Sequence, residues 1–256
     1  MAEYRQGRQS FTLPVSPVIT TWASCAGKKE SEGPLAHTFD ITSQDTWFGQ
    51  RTWEQAEKQL QRITLGKLAE KANMRMTDFD LVFSGDLLNQ CIGSSFSLRN
   101  TGIPHLGLYG ACSTMAEGLV MASMAVGGGF VDHAVAMTSS HFASSERQYR
   151  FPLGYGGQRT PTAQWTVTGS GAFVCTAEPE DLRQAGHRYV PQITAVLPGK
   201  AVDAGIRDAA NMGAAMAPAA VDTLLNHLED TGRGIDYYDL VVTGDLGFIG
   251  RDIMTD

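Results

Sequence analysis

The chain has 256 residues, is 43% hydrophobic and carries a formal net charge of -7. That length and apolar content can bury a large core, as one big domain or two halves. The acidic balance argues against nucleic acid or an anionic membrane surface as a direct partner.

The N-terminal residues are polar and lack the apolar stretch of a secretory signal. No segment stays apolar for the roughly 20 residues a membrane-spanning helix needs, so a soluble or peripheral protein is expected. Cys25, Cys91, Cys112 and Cys175 lie far apart, with no C-x-x-C pair and no histidine at metal spacing. That pattern suits a reduced, intracellular protein better than a disulfide scaffold or zinc site.

In chain order, residues 11–21 read as a strand around Pro14 and Pro17, and residues 27–34 as a loop. Thr52-Trp53-Glu54-Gln55 has the capping-box pattern. Trp53, Ala56, Leu60, Ile63, Leu68 and Ala72 follow at helical spacing, which predicts a helix over residues 53–72. Thr77-Asp78 predicts a turn, and residues 79–86 a strand closing on Gly85-Asp86.

Residues 103–109 predict a short apolar strand that turns at Gly110-Ala111-Cys112-Ser113-Thr114. An apolar helix over 115–126 follows and stops at Gly127-Gly128-Gly129, since glycine accepts the left-handed conformation that closes a helix. Nearly every face of this helix is apolar, which predicts burial on all sides, between two sheets. Cys112 falls at its first turn, where unpaired N–H groups and the positive dipole end favour a thiolate or a bound anion. A buried structural cysteine is the other reading of the same position.

Residues 134–137 predict a strand leading to Thr138-Ser139-Ser140-His141. Residues 144–157 are polar, with Arg147, Tyr149, Arg150 and Tyr155, and read either as a solvated loop or as a basic rim over a pocket. Residues 166–175 predict another strand with an internal glycine bend, and 219–229 a helix. Helices alternating with strands imply a mainly parallel α/β sheet, helices on both faces. Residues 238–246 repeat 79–87 almost residue for residue, and Pro191-Gln192-Ile193-Thr194 echoes Pro17-Val18-Ile19-Thr20. Features repeated in the same order predict an internal duplication.

A duplicated half with a cysteine on a strand-to-helix turn resembles the thiolase fold. Gly110-Ala111-Cys112-Ser113 is similar to the nucleophile turn of condensing enzymes, and Gly169-Ser170-Gly171-Ala172 to the glycine-bearing strand before their second half. More narrowly, residues 80–90, 107–129 and 150–174 resemble the stage V sporulation protein AD (SpoVAD) family, across most of 17–249. The resemblance implies a five-layered αβαβα fold. Residues 1–180 would form the N-terminal half with the Cys112 turn, and 181–256 a C-terminal half incomplete at its end. It implies binding of dipicolinic acid (pyridine-2,6-dicarboxylate) in a retained thiolase-type pocket. The setting would be a spore inner-membrane complex with other subunits, the protein lying peripheral to that membrane in the forespore or spore. It also implies a homodimer with residues 103–108 near the interface.

The candidate ligand-binding set is Cys112, Ser113, Thr114, Asp86, Ser139, His141, Arg147 and Arg150. The helix N-terminus would supply donors to a dianion, and an arginine a bidentate clamp. Asp86 fits a calcium ion accompanying dipicolinate, or a role in holding nearby backbone; no other cofactor is expected. An acyltransferase using Cys112 is the alternative, and a purely structural subunit a third reading. Where condensing enzymes place a catalytic histidine, this sequence has Thr243-Gly244-Asp245.

Overall fold

The computed structural model describes residues 3–149, 164–177, 190–208 and 210–256. The boundary expected after residue 180 lies outside the described residues. Two compact units form, one from the described residues of Leu13–Tyr155 and Thr166–Thr194, the other from those of Met1–Thr12, Gly156–Trp165 and Ala195–Asp256.

In the first unit the strands are β3 (Val18–Ala26), β4 (Ile41–Thr42), β5 (Leu81–Gly85), β6 (His105–Leu108), β7 (His133–Ser140) and β8 (Gly169–Thr176), after β1 (Arg5–Gln6) and β2 (Ser10–Phe11) of the other unit. Among the described residues they make one six-stranded sheet in the order β4-β3-β8-β7-β5-β6. β5 pairs in parallel with β6 and β7, and β3 with β4, but β8 runs antiparallel to both β3 and β7. Five of the six strands therefore run the same way, the mainly parallel sheet that was expected, and only β8 is reversed. Strand direction depends on the route of the connections, which apolar runs do not encode.

Alternation along β7 explains the layers. Val135 and Met137 pack with Leu65, Leu68, Phe79, Val82 and Val174 beneath helix α1 (Trp53–Ala72). Ala134 and Ala136 point the other way, with Phe83 and Cys175, onto Ala122 and Val126 of helix α3 (Thr114–Gly127). Period-2 side chains thus feed a helix on each face. α1 has the predicted bounds: the Thr52 hydroxyl accepts from the Gln55 N–H, and Asn73 closes the helix in the left-handed conformation. α2 (Ile92–Leu98) packs beside α1, and the expected loop beyond Ser144 is a helix as far as residue 149, α4 (Phe142–Tyr149). Its buried residues are Ser144, Ser145 and Glu146, so no apolar period announces it.

Two further expectations are corrected. α3 is not buried all round: Thr114, Gly118, Ala122, Ser123, Val126 and Gly127 are buried, whereas Ala116 and Met124 are exposed. Its sheet contacts in this unit are on one face, and apolar residues around the remainder are only half covered. The first strand runs to Ala26, beyond the predicted residue 21, while Pro14 and Pro17 lie before it. The echoing segments meet directly: Ile19 N–H donates to Pro191 O and Ile193 N–H to Pro17 O, each at 2.8 Å.

The second unit holds the hairpin β1 (Arg5–Gln6)–β2 (Ser10–Phe11), helix α5 (Met212–Thr231) and helix α6 (Gly247–Thr255). α5 begins before the predicted residue 219, capped by the Asn211 side chain, and accommodates Pro218. Residues 238–246, the copy of 79–87, form no strand, another correction. Leu240 and Val242 are 76% and 80% exposed, and no described strand pairs with them. Propensity is the same in both copies, but a strand persists only where neighbours complete its ladder. No helix among the described residues is long and apolar enough to cross a membrane.

Candidate functional site at the strand ends

Register assembles the site. Gly85 of β5 stands opposite Leu108 of β6 and Thr138 of β7, so the parallel strands finish together. Asp86, the turn after Leu108, and Ser139 therefore converge on one edge of the sheet, the edge where open α/β sheets place ligands. Gly85 is required there. A Cβ on it would lie 2.2 Å from Leu108 O and 2.5 Å from the Thr114 side chain.

Asp86 is buried and saturated with donors. It accepts from Leu88 N–H at 3.0 Å, from Ser94 N–H at 2.7 Å and from the Ser94 hydroxyl at 2.6 Å. From α1, the Gln61 amide donates to Ser94 Oγ at 3.0 Å and Ser139 Oγ at 2.8 Å, while its carbonyl accepts from Ser97 Oγ at 2.7 Å. Ser139 Oγ donates to Glu57 at 3.1 Å, and Ser144 Oγ at 2.7 Å. One buried polar network thus ties the ends of β5 and β7 to α1, α2 and α4.

Of the candidate residues, Asp86 and Ser139 meet in this network. His141 lies beside it: Nε2 faces Thr46 O at 2.8 Å and Nδ1 accepts from Ala143 N–H at 3.2 Å. Both ring nitrogens are engaged, and burial lowers the imidazole's pKa, so it is neutral and positional. The half-exposed Arg147 pairs with Glu54. Arg147 and Glu54 line, with Leu88, Asn89, Ile92, Ser144 and Gln148, an open cleft of about 270 Å³. Arg150 lies outside the described residues.

Cys112, Ser113 and Thr114 stand together at the head of α3, but Cys112 is exposed and not among the residues lining that cleft. Ala111 before it has φ 49°, a left-handed turn at a residue with a Cβ, the kind of local strain that is held by surrounding structure. Ser113 Oγ donates to Gly110 O, and Thr114 Oγ1 to Ala111 O, both at 2.8 Å. Tyr109 connects this turn to the cleft wall: Gln148 donates to its hydroxyl at 3.5 Å, and that hydroxyl lies 2.7 Å from that of Tyr149, which donates to Leu87 O at 2.8 Å.

Among the described residues, Asp86 is not set out as a calcium ligand. The Asp86 oxygens face three hydrogen-bond donors, and among the described residues no group of three or more His, Cys, Asp or Glu side chains gathers at one point. Asp86 instead holds the backbone at Leu88 and Ser94.

Sequence reasoning passed over Glu57, Gln61 and Ser94. A signal existed for the first two: they sit i, i+4 on α1, alongside the apolar stripe of Ala56 and Leu60, where polar groups enter the interior.

This arrangement of sheet and flanking helices is similar in fold to proteins of solved structure. A 3-oxoacyl-(acyl carrier protein) synthase III, FabH, from Xanthomonas oryzae pv. oryzae has a TM-score of 0.59 at 14% identity, over 98% of this chain and 82% of that one. Xanthomonas campestris OleA E117A has a TM-score of 0.59 at 13% identity, over 95% of this chain and 81% of that one. The fold is thus thiolase-like. At the level of sequence, the Stage V sporulation protein AD (SpoVAD) family matches residues 7–256. Stage V sporulation protein AD of Bacillus subtilis (strain 168) is 43% identical over 250 residues, spanning 98% of this chain and 71% of the relative. The chain belongs to the SpoVAD family and is a sporulation protein.

Proposed function

We propose that this protein binds dipicolinic acid, free or as its calcium complex, at the strand-end edge, and assists its uptake into the spore within an inner-membrane complex. The observation that carries the reading is SpoVAD-family sequence along almost the whole chain, on a fold that keeps a ligand edge. The cleft beside that edge has room for one small planar ligand, and Arg147 on its wall offers a guanidinium to a carboxylate. The head of α3 adds N–H donors nearby. The engagement of both His141 nitrogens favours a binder over an acyltransferase, because a thiol nucleophile needs a base free to take its proton. A homodimer is part of the proposal: β6 is an edge strand, with Leu106 and Tyr109 exposed along it and Ile92 and Phe96 exposed on α2.

Calorimetry with dipicolinate, with and without calcium, tests the assignment. Saturable heat at one site per chain is expected. Absence of binding by the unmutated protein sinks it, and an acyl group on Cys112 that discharges to an acceptor restores the enzyme reading.

A further inference from the structure

Glu57 lies at the centre of the buried network, and the reading above gives it no role. It is 0% exposed and its oxygens touch two hydroxyls, Ser139 Oγ at 3.1 Å and Ser144 Oγ at 2.7 Å. Burial, offset in part by Ser144 and reinforced by the charge of Asp86, pushes its carboxyl up to about 7.

The geometry accommodates both protonation states without an orphaned donor. As a carboxylate, Glu57 accepts from both serines. As an acid it donates to Ser144 Oγ, and Ser144 redirects its own proton to His141 O, 3.1 Å away. Ser144 is at the same time a wall of the cleft, as is Glu54, one turn before Glu57 on α1. A single hydroxyl therefore separates the buried carboxyl from the space assigned to an anion.

Few charges compete for control of this group. On α1 itself there is Glu54, and on α4 there are Arg147, paired with Glu54, and Glu146, bonded by Thr166. The end of β5 brings Asp86, held by three donors. β7 leads into the neutral His141, and β3 brings the Cys25 thiol, which burial pushes up to about 11 and keeps neutral. α2 contributes only Ser94 and Ser97 to the network, and on β8 Ser170 is uncharged.

We propose that Glu57 is a proton-binding site coupled to the cleft, so that the protein takes up a proton as an anionic ligand binds there. The inference rests on the reading that a small dicarboxylate occupies this cleft. Two like charges close together in a poorly solvated interior repel, and Glu57 is the group with a ready acceptor for its proton. Coupling is reciprocal: if the ligand raises proton affinity, protonation raises ligand affinity by the same factor.

The test is calorimetry of dipicolinate binding to the wild type and to Glu57→Gln, on both sides of neutrality, in two buffers of different ionisation enthalpy. The wild type is expected to take up close to one proton per ligand above neutrality and to lose affinity by up to about tenfold per pH unit there. Glu57→Gln, which keeps the shape and one donor, should bind with no such uptake and a flat pH profile. Equal proton uptake in both proteins overturns the proposal while leaving dipicolinate binding intact. No binding by the wild type at any pH overturns both readings. If Glu57→Gln does not fold, infrared difference spectra of isotope-labelled wild type decide. A rise of a protonated-carboxyl band on adding dipicolinate supports the coupling, and its absence overturns it.

Discussion

Ser94 gives Asp86 both its backbone N–H, at 2.7 Å, and its hydroxyl, at 2.6 Å, tying the start of α2 twice to the end of β5. A carboxylate used this way is a structural anchor, and its removal strands several buried donors at once. Asp86→Ala should destabilise the protein by about 3 kcal/mol, since hydrogen bonds to a buried charge are each worth about 1.5–3 kcal/mol. Denaturant midpoints measure this. Affinity for free dipicolinate and for its calcium complex should fall alike. A loss confined to the calcium complex would make Asp86 a metal ligand.

Gly85→Ala should be severe. The new methyl would lie 2.2 Å from a backbone carbonyl, which cannot move aside like a side-chain tip. We expect a loss of about 3 kcal/mol or more, with the Cys112 turn displaced. Unfolding curves together with the alkylation rate of Cys112 check both parts.

At Cys112, bulk should matter more than thiol chemistry. Cys112→Ser keeps size and a polar atom at the head of α3, so dipicolinate binding should survive within a few-fold. Cys112→Phe, which crowds the N–H donors at the head of α3, should weaken it more. Loss of binding in both variants, with folding intact, would assign the thiol itself a role.

Asp230 anchors the N-terminal hairpin of its unit, accepting from the N–H groups of Arg8 at 2.6 Å, Gln9 at 2.9 Å and Ser10 at 2.7 Å. The Arg8 N–H foremost, then those of Gln9 and Ser10, hold its carboxyl well below the usual range. A depressed folded pKa means the anchor is fully effective above the unfolded value of about 3.9 and is lost as pH falls towards the folded one. Hydrogen exchange should show residues 5–11 protected at neutral pH and released in acid. In Asp230→Ala they should be released at both, and protection independent of pH would remove this role.

The proposed homodimer predicts a charge-sensitive edge. Leu106→Asp on β6 places a charge on an exposed apolar strand edge, a device that blocks strand pairing. Sedimentation should give a dimer for the wild type and a monomer for the variant. A wild-type monomer at high concentration would end that part of the proposal.

Much of this was legible in the residues themselves. Thr52 and the apolar spacing behind it determine α1 to the residue, and Gly110 to Thr114 mark the turn into α3, because caps and periodicity act within a few positions along the chain. The SpoVAD motifs carried the family and the thiolase-like class. What only the tertiary structure decided depends on neighbours distant in sequence. Residues 79–87 and 238–246 are near copies, yet only the first is a strand, because only β5 has β6 and β7 beside it. The antiparallel course of β8 and the exposed flank of α3 follow from the same cause. Glu57 and Gln61, four residues apart beside the apolar stripe of α1, become the hub of a buried network only where serines from three other elements meet them. Hydrogen bonds of that kind leave no periodic trace in a sequence, since the partners are 24 to 87 positions apart.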